Sequence, residues 1–216
     1  ADGVRIGGLR LGVRDGSLDL NGRLWPTLDL KAGLTNLPLG LLDLVQPGVG
    51  IDGRLNAEAR LAGTLVRPTG QISIRVRHVQ AREGVARGLP VANLTGTVTL
   101  LGAEAGIDLR LTAGRSASLT VTGEAPLSPV GALKLQSRGT FDLGLLDPLL
   151  TPTGHRARGN VGFDAAISGA LADPRASGSI TLTDGEFQDY PLGARLDQIA
   201  GRGVFDGTTL RIERLR

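Results

Sequence analysis

Apolar and polar residues alternate with a period of two along much of the chain, a pattern typical of β-strands that bury one face. In residues 71–77, the apolar side chains Ile72, Ile74 and Val76 share one face, and the residues between them are polar or charged. Turn residues such as Gly, Pro and Asp interrupt the alternation about every 8–12 residues. The pattern therefore predicts an all-β fold of roughly a dozen strands.

Two places depart from simple alternation. The apolar positions change phase between Ile6 and Leu9, across Gly7 and Gly8, which predicts a β-bulge there. Residues 39–46 and 143–150 are apolar with only a weak helical pattern. We interpret both segments as apolar corners between strands.

The sequence also repeats itself. Residues 39–43 (LGLLD) recur at 143–147, and residues 17–22 are matched at 118–123. Four such anchors keep their order, with offsets between 101 and 106 residues. This predicts about two copies of a unit of five or six strands. We assign residues 1–34 to the end of a preceding repeat, 35–138 to a first unit and 139–216 to a second, incomplete unit.

The composition changes the expected core. Hydrophobic residues make up 41% of the chain but aromatic residues only 3%, so any core is thin and aliphatic. A sheet with one apolar face must shelter that face. Either two sheets close as a sandwich, or the repeats extend one elongated, curved sheet; the aliphatic bias and similar copies favour the second. We therefore predict a U-shaped β-trough with an apolar inner groove lined by Leu55, Ala57, Leu61, Ile72, Ile74, Val76, Leu94, Val98, Leu100, Ile107, Leu109, Leu111, Leu119, Val121, Leu133, Leu135, Val161, Phe163, Ile167, Ile180 and Leu182.

Charge and residue counts exclude several classes of function. The net charge is +3, and the 22 arginines are spread along the chain rather than gathered in a patch, which argues against nucleic-acid binding. There is no cysteine, hence no disulfide or thiolate metal site. No apolar run reaches 18 residues, so no transmembrane helix is predicted. The chain begins at Ala1 without methionine or a signal-peptide pattern, and we expect it to be an excised segment.

Catalytic and metal-binding motifs are weak. Residues 48–53 fit G-x-G-x-x-G, but an alternating strand follows them where a dinucleotide site needs a helix. The two histidines, His78 and His155, have no partner at a metal-ligand spacing. No G-x-S-x-G elbow is present. We therefore expect no enzyme activity, no metal and no cofactor.

One stretch is more specific. Residues 167–187, ISGALADPRASGSITLTDGEF, and their continuation through Tyr190-Pro191-Leu192-Gly193 resemble the repeat of the TamB translocation and assembly proteins and their AsmA-like relatives. The resemblance covers most of residues 35–216. It implies a protein of Gram-negative bacteria that is anchored in the inner membrane and crosses the periplasm. The partner that the resemblance implies, reached through regions outside this segment, is the outer-membrane barrel protein TamA. The family's implied fold is a long U-shaped sheet with a greasy groove, and its implied roles are phospholipid transport and assembly of outer-membrane proteins such as autotransporters.

Three hypotheses remain open at this point. In the first, the apolar groove is a conduit for phospholipid acyl chains. In the second, the same trough, or its edge strand, is a chaperone-like scaffold for unfolded outer-membrane β-strands. In the third, the strands form a closed β-sandwich with a purely structural role.

Overall fold

One sheet accounts for the whole architecture. The computed structural model describes residues 3–45, 50–83, 85–129 and 131–216. Within these ranges, each strand pairs antiparallel with the next along the chain, in one open sheet of 13 strands. The predicted all-β fold is confirmed. The strands are β1 (Arg5–Val13), β2 (Gly16–Arg23), β3 (Leu28–Pro38), β4 (Ile51–Gly63), β5 (Pro68–Ala81), β6 (Ala92–Leu101), β7 (Glu104–Ala113), β8 (Ala117–Pro126), β9 (Ala132–Asp142), β10 (His155–Ala170), β11 (Asp173–Asp189), β12 (Ala194–Asp206) and β13 (Thr209–Leu215).

The connections alternate between the two long sides of the sheet, because each strand reverses direction. Short helical turns lie on one of these sides, which we call the corner side; the opposite side is the tip side. The helical turns are the 3₁₀ turn Leu39–Leu41 with α1 (Leu42–Val45), the 3₁₀ turn Val85–Gly88, and α2 (Asp147–Leu150) between the 3₁₀ turns Leu143–Leu146 and Thr151–Thr153. The segments interpreted from sequence as apolar corners thus contain helical turns, except residue 46, which lies outside the described residues.

Local chemistry explains the second of these corners. The carboxylate of Asp142 accepts a hydrogen bond of 2.7 Å from the backbone N–H of Gly144 and so caps the first 3₁₀ turn. Pro148 lies in the first turn of α2, where a missing N–H removes no helical hydrogen bond. Pro148 is therefore compatible with this helix, which is one turn long.

The sequence repeat relates six strands, β2–β7, to six others, β8–β13. Gly22 in β2 pairs with Leu30, and Gly123 in β8 pairs with Leu135 in the same way, at an offset of 101 residues. In both units a short helical turn follows the second strand, between β3 and β4 and between β9 and β10. The unit boundaries at residues 34/35 and 138/139 stay a prediction.

Glycine is required at the two matched positions. Gly22 and Gly123 have φ angles of +138° and +135°, a region that other residues rarely adopt. A Cβ atom on Gly22 would lie 1.9 Å from the carbonyl oxygen of Asp29, and one on Gly123 would lie 2.1 Å from that of Lys134. The backbone of the next strand therefore passes too close for any side chain.

Bulges bend the strands near the corner side. The register slips at neighbouring positions in β3, β4 and β5, and again in β10, β11 and β12. The predicted bulge at Gly7 and Gly8 is confirmed by a slip between Ile6 and Leu9 in β1. Since a bulge bends and twists its strand, slips in adjacent strands bend the sheet along a shared line.

Two of these bulges share one hydrogen-bonding device. Asn36 in β3 and His78 in β5 adopt left-handed conformations with φ of +55° and +56°. The N–H of Asn36 donates to Asn56 Oδ1 at 3.0 Å, and the N–H of His78 donates to Asn93 Oδ1 at 3.1 Å. At each bulge, a backbone N–H has no partner in the hydrogen-bond ladder between the strands. An asparagine side chain of the following strand accepts its hydrogen bond instead.

Candidate functional site

All 21 side chains predicted to line a groove lie on one face of the sheet. Directly paired residues of antiparallel strands point to the same side, so the register connects them into rows. We call this side the apolar face. Its rows are Leu55, Val76, Leu94, Leu111, Leu119, Phe163 and Ile180; Ala57, Ile74, Leu109 and Val121; Ile72, Val98, Ile107, Leu135 and Ile167; Leu61, Leu100 and Leu133; and Val161 with Leu182, with glycines, alanines or Ser137 at intervening positions.

The apolar face extends beyond the predicted residues. Leu18 and Leu20 of β2 pair with Leu34 and Ala32 of β3, which continue two of these rows. Alternation in residues 18–20 and 28–34 could have identified them from the sequence. The apolar face therefore extends beyond the predicted set through β3 to β2.

The side chains of this face are partly, but not fully, buried. Four of the 21 side chains are buried (Val76, Leu100, Leu133 and Val161), and the other seventeen are half-buried. Among the described residues, no large side chain has less than 2% of its surface exposed. A second sheet packed on this face would bury such side chains almost completely. The strands form one open sheet in place of the two sheets of a sandwich.

The opposite face is polar and carries ion pairs across neighbouring strands. Arg10 of β1 contacts Asp19 of β2 at 2.5 Å, and Arg138 of β9 contacts Asp164 of β10 at 2.7 Å. These side chains are largely exposed, so each pair contributes little to stability. Their main consequence is a solvated, charged surface behind the apolar face.

A wide cleft lies against this polar face. It has a volume of about 1240 Å³ and crosses β1–β7, where Asp19, Glu58, Arg75 and Arg110 line it. Two smaller clefts of about 650 and 460 Å³ are also lined mainly by polar-face residues. Of the 21 predicted residues, the wide cleft includes Ala57 and Ile74. The polar face is thus concave in the direction that crosses the strands. The sequence did not indicate this curvature.

A charged cluster fixes the second helical corner to the sheet. Arg158 of β10 donates two hydrogen bonds of 2.7 Å to the two carboxylate oxygens of Asp147 in α2. Hydrogen bonding by Arg158 lowers the pKa of Asp147, although partial burial acts in the opposite direction. In the first unit, Asp43 of α1 forms an ion pair with Arg82 and also accepts a hydrogen bond from the N–H of Gly50. The first pair joins α2 to β10, and the second joins α1 to the residues next to β4 and β5.

The two histidines have different surroundings. The side chain of His78 is exposed at its bulge, whereas His155 stacks on Phe187 with ring centroids 5.9 Å apart. The Nδ1 atom of His155 lies 2.8 Å from the hydroxyl of Thr153, and its Nε2 atom lies 3.5 Å from Asp189. In the described ranges, no three His, Asp or Glu residues are grouped as metal ligands.

Two further sequence expectations bear on this part of the chain. Within the G-x-G-x-x-G match at residues 48–53, β4 begins at Ile51, while Gly48 and Val49 lie outside the described residues. Among the helices that the structure describes, none has the length and apolar character needed to cross a membrane.

The fold and this site define a single-layer antiparallel sheet with chemically distinct faces. Compared with known protein families, curated proteins and solved structures, the chain has no match.

Proposed function

We propose that this chain is a periplasmic segment of a TamB/AsmA-like protein whose apolar face carries phospholipid acyl chains between the inner and outer membranes and supports outer-membrane protein assembly. The observation that carries the proposal is the continuity of that face. From β4 to β11 its paired rows contain no charged residue, and Ser137 is their one polar member. A contiguous apolar surface of this extent is rare on a soluble protein unless something binds to it.

The shape of the sheet supports a groove along this face. A twisted sheet is saddle-shaped, so that each face is hollow in one direction. Because a cleft makes the polar face concave across the strands, we propose that the apolar face is concave along them. The bulges in β3–β5 and β10–β12 support this proposal, since a bulge bends its strand. We propose that this concave surface is the U-shaped trough.

The energy of lipid transfer gives the groove its role. Bringing an acyl chain of about 16 carbons into water costs roughly 12 kcal/mol, at about 0.8 kcal/mol per CH₂ group. Contact with an aliphatic face offsets most of this cost, because the acyl chain then leaves water. The headgroup stays in water at the open side of the groove. Half-buried Leu, Ile and Val side chains offer a smooth surface without deep pockets, which suits passage better than tight binding.

Two substitutions in one strand test the proposal. Val121 lies in the middle of the apolar face, paired with Leu109 and Ser137, and its neighbour Thr122 points to the polar face. We expect Val121→Arg to lose co-purified phospholipid, measured by mass spectrometry, and to lose transfer of a fluorescent phospholipid between vesicles. Thr122→Arg adds the same charge on the other face and should retain both. Val98→Arg provides a second position on the apolar face.

The result is interpretable because fold and function are measured separately. Far-UV circular dichroism of each variant establishes that the sheet is intact. A folded Val121→Arg protein that still retains and transfers phospholipid would refute the conduit. Equal losses in Thr122→Arg would refute the assignment of the function to the apolar face.

A strand-binding scaffold is the second candidate, favoured by the exposed apolar side chains of β13. Its apolar-face residues Leu210, Ile212 and Leu215 are 60–66% exposed, and such a surface can shelter the apolar side chains of an unfolded strand. Photo-crosslinking from Ile212 and from Val121 separates the two candidates. Peptide adducts at Ile212 with no lipid adduct at Val121 would favour the scaffold.

A further inference from the structure

One polar side chain lies within the apolar face. Ser137 of β9 is 8% exposed, and among the described residues it is the one buried residue that is polar or charged. It lies in the middle of the face, paired with Val121 of β8 and Ala165 of β10. Its hydroxyl has no hydrogen-bond partner in the part of the chain that the structure describes. A hydroxyl that leaves water without gaining a partner is unfavourable, so its presence here requires an explanation.

The first unit shows that the sheet does not need this hydroxyl. The two matched glycines, Gly22 and Gly123, set the correspondence between the units, and in this correspondence Ala32 takes the place of Ser137. Each of these two residues pairs with an alanine of the next strand. An equivalent pairing thus forms with a methyl group at this position. The hydroxyl of Ser137 is therefore not required for strand pairing, whereas contact with a ligand would give it a role.

The neighbours of Ser137 leave its hydroxyl accessible from one direction. Ser137, Ala165 and Gly178 follow one another across β9, β10 and β11, and all three are small. The larger apolar side chains that flank them along these strands are Leu135, Ile167, Phe163 and Ile180. The Phe163 ring lies over Gly139, where an added Cβ would be 2.7 Å from its Cε1 atom. Since the sheet itself lies beneath Ser137, the exposed part of this residue faces the groove.

The chemistry of the face limits which ligand group this hydroxyl suits. From β4 to β11 the paired rows contain no charged residue, so nothing there offsets the cost of taking a phosphate out of water. A saturated hydrocarbon chain has no hydrogen-bond acceptor. The ester carbonyl of a diacyl lipid is a neutral acceptor attached directly to the acyl chain. It therefore fits a single hydroxyl within an apolar surface, in the way that isolated polar groups orient ligands in apolar sites.

We propose that the Ser137 hydroxyl donates a hydrogen bond to an ester carbonyl of a bound glycerolipid, so that the groove prefers ester-linked to ether-linked lipids; this inference rests on the proposed lipid-carrying function. The acyl chain then follows the aliphatic rows on either side. The headgroup, which the glycerol joins to the ester, extends to the open side of the groove. Ser137 determines specificity in this arrangement, while the rest of the face contacts hydrocarbon.

Two lipids that differ only in their ester carbonyls test the proposal directly. Dipalmitoyl phosphatidylcholine and its dihexadecyl ether analogue share a headgroup and a chain length. We expect the chain, loaded from vesicles of an equimolar mixture, to retain the ester lipid in about two- to tenfold excess, the range that one hydrogen bond provides. Ser137→Ala should retain the two lipids equally. Mass spectrometry of the extracted lipid measures both ratios.

A serine on the opposite face provides the matched control. Ser73 of β5 pairs with Glu58 and Thr97 on the polar face, so Ser73→Ala should keep the preference of the parent chain. Each variant lacks one hydroxyl, but only Ser137→Ala lacks it inside the groove. Because the Ser137 hydroxyl makes no internal hydrogen bond, Ser137→Ala should also unfold at the parent's urea concentration or above it.

The outcome is separable from that of the conduit. Equal retention of the two lipids by the parent chain, or an ester preference that survives in Ser137→Ala, would overturn the inference and leave the conduit intact. So would a preference that is lost in Ser73→Ala as well. A lower urea midpoint for Ser137→Ala would reveal an internal partner of the hydroxyl and overturn its assignment to lipid. If the parent chain retains neither lipid, the conduit itself fails and this inference fails with it.

Discussion

Replacing Gly123 with Ala tests the strand register and the repeat at once. The backbone at Gly123 has φ of +135°, and the added Cβ would lie 2.1 Å from the carbonyl oxygen of Lys134. To restore an ordinary contact beyond 3.4 Å, β9 must retreat by more than 1 Å. The substitution therefore strains one strand and displaces its neighbour.

The expected magnitude follows from these two effects. An unfavourable φ contributes about 1–3 kcal/mol. Loss of one or two ladder hydrogen bonds beside Leu135 adds about 1 kcal/mol each. We expect the free energy of unfolding to fall by about 3–4 kcal/mol, which in a chain of this length lowers Tm by about 6–16 °C.

Two matched variants sharpen the comparison. Gly22→Ala, at the corresponding position of the first unit, should be destabilised to a similar extent because its Cβ would lie 1.9 Å from the carbonyl oxygen of Asp29. A Cβ on Gly33 meets nothing within 4 Å, and its φ is not in the positive range. Gly33→Ala should therefore be neutral or up to about 1 kcal/mol more stable, since alanine restricts the unfolded chain.

Urea unfolding followed by far-UV circular dichroism measures all three variants against the parent chain. The reasoning is refuted if Gly123→Ala unfolds at the parent's urea concentration, or if Gly33→Ala is destabilised as much as Gly123→Ala. Strong destabilisation by Gly123→Ala but not by Gly22→Ala would contradict the correspondence of the two units.

Three further variants follow from the described contacts. Asp147→Asn should lower the free energy of unfolding by about 1 kcal/mol at pH 7, because its partner Arg158 is partly exposed. Since Arg158 lowers the folded-state pKa of Asp147, this difference from the parent is complete above the usual carboxyl range and disappears as the pH falls through the lowered pKa. A difference in urea midpoint that persists at low pH would contradict this. Asn93→Ala should cost about 1 kcal/mol in urea unfolding by leaving the His78 N–H without its acceptor, and an unchanged midpoint would show that water replaces it. Leu109→Ala should cost about 1 kcal/mol rather than the roughly 2–5 kcal/mol of a sealed core, because its side chain is half-buried; a loss in the sealed-core range would mean that another layer covers this face.

Alternation was enough to predict which side chains share a face. A period of two places Ile72, Ile74 and Val76 on one side whatever strand they pair with. The phase change at Gly7 and Gly8 correctly located a bulge for the same reason. The periodic signal survives because each strand is nearly regular over its own length.

Features that depend on neighbouring strands were not visible in the pattern. The bulge at His78 needs a left-handed non-glycine residue and an acceptor 15 residues away, Asn93, and neither has a distinctive local signal. The pair of Asp147 and Arg158 likewise spans a corner that the sequence did not identify as helical. The cleft on the polar face depends on how twist accumulates over seven strands.

Pairing only between consecutive strands limits how such a chain can change in length. Removing one strand would reverse the direction of every later strand and exchange their turns between the two long sides. Removing a hairpin, or a unit of six strands, leaves every turn on its original side. Gain or loss of length by whole hairpins would therefore keep the described helical turns on one long side, while single-strand insertions would distribute them over both.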